Sequence, residues 1–135
     1  MTVTDIIPVP GGSLVRAICV EPGGDFVYAI STGSDIASVI DTATNTVIAT
    51  IGVGDAPRGI AFSPNGETAY VPTLTDVYVI RTSDHTVTTA VTTPGDALSG
   101  IDVTPDGQFV YATAIFSDSV HVIRAPDNTL IDNIV

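Results

Sequence analysis

Pro22-Gly23-Gly24-Asp25-Phe26-Val27-Tyr28, Pro64-Asn65-Gly66-Glu67-Thr68-Ala69-Tyr70 and Pro105-Asp106-Gly107-Gln108-Phe109-Val110-Tyr111 are one motif written three times. The prolines stand 42 and then 41 residues apart, and so do the tyrosines. Working outward, Ala17-Ile18-Cys19-Val20 matches Gly59-Ile60-Ala61-Phe62 and Gly100-Ile101-Asp102-Val103. Ser38-Val39-Ile40-Asp41 matches Tyr78-Val79-Ile80-Arg81 and His121-Val122-Ile123-Arg124, and Asn45-Thr46-Val47 matches His85-Thr86-Val87 and Asn128-Thr129-Leu130. A fixed period of this length is the mark of a repeat architecture.

Each copy reads as four short strands. In the first copy these are residues 15–21, 26–31, 36–41 and 46–53. Pro22 to Asp25 is a turn, because proline presets φ and glycine accepts positive φ. Thr42 to Asn45 is a second turn, rich in side chains that bond their own backbone. No window shows helical apolar spacing. Evenly spaced short strands in a repeat near 42 residues select an all-β β-propeller of four-stranded antiparallel blades. Three blades are expected, at about 13–53, 54–93 and 95–135, in a single domain over 1–135. Val3 to Val9 is similar to Val47 to Val53, so residues 2–9 are expected as a leading outer strand. Propellers close with four to eight blades. Three blades therefore imply either a ring completed by self-association, as a six-bladed homodimer, which is the favoured expectation, or a piece of a longer chain. The leading strand would clasp the partner's last blade, in competition with the trailing strand 129–135.

Composition agrees with strands. Hydrophobic residues make up 44% of the chain and charged residues 14%, and Val, Ile and Thr suit a pleated half-buried surface. Fifteen acids against four bases give a net charge of −11, with no lysine. Such a chain repels nucleic-acid phosphates and anionic membrane surfaces. The charge implies solubility, with a divalent cation such as calcium or a cationic partner as the other reading. The start lacks the basic and long apolar regions of a signal peptide, and no apolar run is long enough to span a bilayer. Cys19, the single cysteine, lies in an apolar run and reads as a buried structural thiol.

Gly59 to Val71, with Val39 to Ile51, resembles the YVTN-type propeller repeat of archaeal surface-layer proteins and bacterial secreted proteins. The name-giving tetrapeptide is degraded to Tyr28-Ala29-Ile30-Ser31, Tyr70-Val71-Pro72-Thr73 and Tyr111-Ala112-Thr113-Ala114. The resemblance implies a propeller and an extracellular or cell-surface setting. It is nearly silent on activity, because one fold hosts many functions.

Candidate site residues are the exceptions to the repeat. Arg16 and Arg58 occupy one repeat position, where the third copy has Ser99. The first strand is innermost in a propeller, so these three are expected at one mouth of the central channel. They would bind a small anionic ligand or a protein partner there, or the arginines would pair with acids such as Asp55. Asp102 stands where the other copies have Cys19 and Ala61. A carboxylate desolvated there would be functional, or else structural and bonded to backbone or to Ser99. His85 replaces a turn asparagine and reads as exposed. Ser119 and His121, two apart in a strand, point the same way. No His or Cys spacing suggests zinc, and Asp25, Asp76, Asp106 and Asp118 form no calcium-loop run. Two functions follow: a non-enzymatic binding or scaffold module, and a lactonase-like or hydrolase-like propeller enzyme with an axial metal or with Asp102 as acid or base.

Overall fold

A computed structural model describes residues 1–135. It contains twelve strands in three antiparallel sheets and no helix. The first blade is β1 (Val15–Val20), β2 (Phe26–Ser31), β3 (Ile36–Asp41) and β4 (Thr46–Gly52). The second is β5 (Ala61–Phe62), β6 (Thr68–Pro72), β7 (Asp76–Arg81) and β8 (Thr86–Thr92). The third is β9 (Leu98–Val103), β10 (Phe109–Ala114), β11 (Ser119–Arg124) and β12 (Thr129–Ile134). In every blade the strands lie in chain order.

The turns follow their residues. Gly24, Gly66 and Gly107 close the motif turn at φ 83°, 74° and 71°, a region where a side chain is strained. The turns before the outer strands end on Asn45, His85 and Asn128 at φ 53°, 56° and 53°. Asn and His are among the few side chains that tolerate this region.

Side-chain alternation gives each blade two faces. One apolar cluster joins Tyr28, Ile30, Ala37 and Val39 of the first blade to Phe62, Ala69, Val71 and Ile80 of the second. A second joins Tyr70, Val77 and Val79 of the second blade to Leu98, Val110, Ala112 and Ile123 of the third. Alternate residues of β6 thus serve the two junctions. The motif tyrosines Tyr28 and Tyr70 each face the following blade.

Two elements depart from expectation. β5 is two residues long, where β1 and β9 have six. Pro57 precedes it and Pro72 ends its partner strand, so donors that would extend the ladder are missing. Residues 2–9, expected as a leading strand, pair with no strand of this chain. The outer positions of the first and third blades are filled by β4 and β12. The segment lies against the first blade instead: Asn45 Nδ2 donates to Asp5 Oδ2 at 3.4 Å, and Gly12 sits against Val9 and Ser31.

Candidate functional site

The inner strands gather the sequence candidates only in part. Arg58 is half-buried, and its Nε is enclosed without a partner. Its backbone N–H donates to Pro72 O at 3.2 Å, which fixes the residue at the end of the truncated strand. Gly59 beside it packs against the Ser99 carbonyl so closely that a Cβ would come within 2.8 Å. Arg58 and Ser99 are therefore neighbours across the second junction. Arg16 is exposed and lines a separate cleft of about 210 Å³ with Leu14, Val15 and Thr32. Neither arginine pairs with Asp55. The two ion pairs are Arg81–Asp84 and Arg124–Asp127, both exposed. They close turns, because each partner stands three residues on, within reach of a tight bend.

Asp102 is exposed, so the expectation of a desolvated carboxylate is corrected. Its side chain accepts the Val103 N–H at 2.9 Å. It faces the same side of the third blade as its cross-strand neighbour Tyr111, and no further blade of this chain covers that side. With Val103, Thr104, Pro105 and Tyr111 it lines an open cleft of about 320 Å³ that excludes the arginines. Cys19, at the equivalent position, is half-buried against the first cluster, and burial raises its thiol pKa. No group of three or more His, Cys, Asp or Glu is arranged to hold a metal ion.

Ser119 and His121 are buried, but they do not form a nucleophile–base pair. The Ser119 hydroxyl bonds Ser117 Oγ, while both ring nitrogens of His121 are enclosed without a partner. Nearby, Asp96 is buried and accepts the Phe116 and Ser117 N–H groups at 2.8 and 2.9 Å. Hydrogen bonding from Ser117 is the main cause holding its carboxyl below the usual range. This links the second-to-third blade connection to the β10–β11 turn.

Sequence reasoning missed the role of His85. Its imidazole is half-buried at the first junction and bonds Tyr28 Oη through Nδ1 at 2.6 Å. It also meets Phe26 edge-on, with centroids 5.0 Å apart. Burial lowers the imidazole pKa, and burial raises the Tyr28 phenol to about 12. Both shifts favour the neutral form of the group. The signal available was that His85 breaks an asparagine position.

A family profile described as "Lactonase, 7-bladed beta-propeller" matches residues 12–133. PE-PGRS family protein PE_PGRS18 of Mycobacterium tuberculosis (strain ATCC 25618 / H37Rv) is 45% identical over 49 residues, covering 36% of this chain and 10% of that protein. Among solved structures, Kuenenia stuttgartiensis hydrazine synthase superposes with a TM-score of 0.83 at 31% identity, over 88% of this chain and 36% of that one. U3-55K and the RRP9 WD40 repeats each superpose with a TM-score of 0.83 at 14% identity, over 90% of this chain and 39% and 38% of theirs. Those two likenesses concern the fold alone. The chain spans little more than a third of the length of the solved chains it matches.

Proposed function

Because the chain belongs to the seven-bladed lactonase β-propeller family, we propose that it works as a three-blade segment of a closed ring, a non-catalytic binding and scaffold unit. Its degraded Tyr-x-x-x strands further suggest the YVTN type within that family. One observation carries the scaffold reading. The motif tyrosine is 0% exposed at Tyr28, 3% at Tyr70 and 39% at Tyr111. On the opposite face, Val20 is 57% exposed, while its equivalent Phe62 is 9%. The motif tyrosine is buried at Tyr28 and Tyr70, where a following blade is present, and Phe62 is buried and Val103 half-buried where a preceding one is. The trailing face of the third blade and the leading face of the first are thus shaped to receive blades, and exposed apolar faces of that kind mark interaction surfaces.

The smallest ring this chain can supply is two copies related by a two-fold axis, with six blades. Residues 1–9 would shift from the first blade as a second copy seats. The mouth with Arg58 and Ser99 is then the surface offered to an anionic ligand or protein partner. Native mass spectrometry across a micromolar dilution series tests the assembly. Dimers are expected, and Tyr111→Asp should return the chain to monomer. A wild-type monomer throughout the series would overturn this reading.

The family match favours a second reading, lactone hydrolysis, with Asp102 as the general base. An exposed carboxylate at the inner strand could accept a proton from water once further blades wall the channel. A lactone-hydrolysis assay on the associated protein decides it. Turnover abolished by Asp102→Asn favours the enzyme, and absent turnover favours the scaffold.

A further inference from the structure

The two blade junctions differ beside the motif tyrosine, and the difference leaves a cleft. At the first junction, Phe26 and the His85 ring fill the space beside the Tyr28 hydroxyl. At the second, the equivalent residues are Thr68, Asn128 and Tyr70. Phe has become Thr and His has become Asn, and both changes remove ring volume. A cleft of about 380 Å³ lies there, with Glu67, Thr68, Tyr70, Val79, Arg81 and Asn128 in its lining. It is the largest cavity of the chain and falls within the usual size range of small-molecule sites.

The polar groups at this cleft are not spent on each other. Asn128 Oδ1 is enclosed and has no partner. A buried acceptor without a donor costs free energy that a ligand would recover. Tyr70 Oη, whose counterpart bonds an imidazole, makes no hydrogen bond to Asn128. Buried Tyr70 and Val79 supply apolar contact. Glu67 and Arg81 bring one charge of each sign, and each already has a partner, Glu67 accepting from Asn65 Nδ2 at 3.0 Å and Arg81 pairing with Asp84. The lining therefore selects for a neutral occupant.

We propose that this cleft between the second and third blades binds a small neutral nitrogen heterocycle, of the class that the His85 ring represents at the first junction. Such a ring carries a donor and an acceptor in its plane, whichever tautomer it adopts. One edge bonds the Tyr70 hydroxyl and the other donates to Asn128 Oδ1. The ring face lies on the apolar lining.

The probe is imidazole itself, titrated into the full chain at a pH where it is neutral, with amide and side-chain shifts followed by NMR. Saturable shifts centred on Tyr70, Thr68 and Asn128 are expected, with a Kd on the order of millimolar for so small a ligand. Thr68→Phe combined with Asn128→His rebuilds the filled junction and should abolish the shifts while raising the Tm. Tyr70→Phe leaves the ring in place and should weaken binding by about tenfold, the loss of one hydrogen bond. It keeps the proposal testable should the double variant misfold. No saturable shifts in the wild type, or unchanged affinity in either variant, would overturn the proposal. So would D-glucose giving the same shifts at lower concentration, since that marks a polyol site.

Discussion

At the β7–β8 turn, the backbone at His85 takes φ 56°, as it does at Asn45 and Asn128. Asparagine would satisfy the turn, so the imidazole is there for its contact with Tyr28 and Phe26. His85→Asn keeps the turn and removes one hydrogen bond and one aromatic edge contact. Together these are worth about 1–2 kcal/mol, measurable by urea unfolding. The pH dependence follows from the lowered imidazole pKa. The unfolded chain protonates His85 at a higher pH than the folded chain does. The stabilising effect of the neutral imidazole is therefore full above the ordinary value, near 6.5, and is lost as pH falls from there through the lowered folded value. Wild-type stability should fall over that window more than that of His85→Asn, and equal slopes would show that the ring titrates freely. The substitution of His for Asn was visible in the sequence, but its partner was not. Tyr28 lies in another blade, and only the packing of two repeats brings the groups together.

Among the elements, the motif turns were the most legible, because their chemistry is local. Proline and glycine act through their own φ, so three copies of Pro-x-Gly gave three turns. Gly107→Ala tests this directly. Its Cβ would meet Pro64 Cδ at 3.4 Å, an ordinary contact, so the cost is that of φ 71° alone. About 1–2 kcal/mol of destabilisation is expected. Gly52→Ala is the control: its Cβ has open space and its φ is not positive, so stability should hold or rise by a few tenths of a kcal/mol. Equal losses in both variants would place the cost elsewhere than in the turn. Two features of the elements escaped the sequence. Each outer strand carries a bulge at the same point, where Ile48, Thr88 and Ile131 are the extra residues. Apolar periodicity does not reveal a bulge when the skipped residue is itself apolar or Thr. The shortening of β5 depends on Pro72 of the partner strand falling opposite Arg58 and Gly59, which is a matter of register.

Across the whole molecule, one row of side chains tells the blades apart. On the trailing faces the row reads Cys19, Tyr28, Val39, Ala49 in the first blade and Ala61, Tyr70, Val79, Thr89 in the second. In the third it reads Asp102, Tyr111, Val122, Asp132. The apolar centre is kept, and both ends have become acidic. The anomaly at Asp102 was legible as a break in the repeat, but its exposure depends on which blade has a follower, which the repeat does not encode. The leading face of the first blade presents Ile18 and Val20, while Ala29 and Ile40 behind them are already buried. A second copy seated between these faces would meet Asp102 and Asp132, and each copy brings a net charge of −11. Apolar contact must then drive association against charge repulsion, which salt screens over about 10 Å at ~0.1 M. The expected outcome is unusual for a highly charged protein: sedimentation equilibrium should show dimers tightening several-fold as sodium chloride is raised. Asp102→Ala, which removes one unpaired acid from the closing face, should tighten them at low salt and reduce the salt dependence. Dimers that loosen with salt would mean that acid–arginine pairs across the interface hold the ring, and Arg16, exposed on the first blade, would be the residue to remove next.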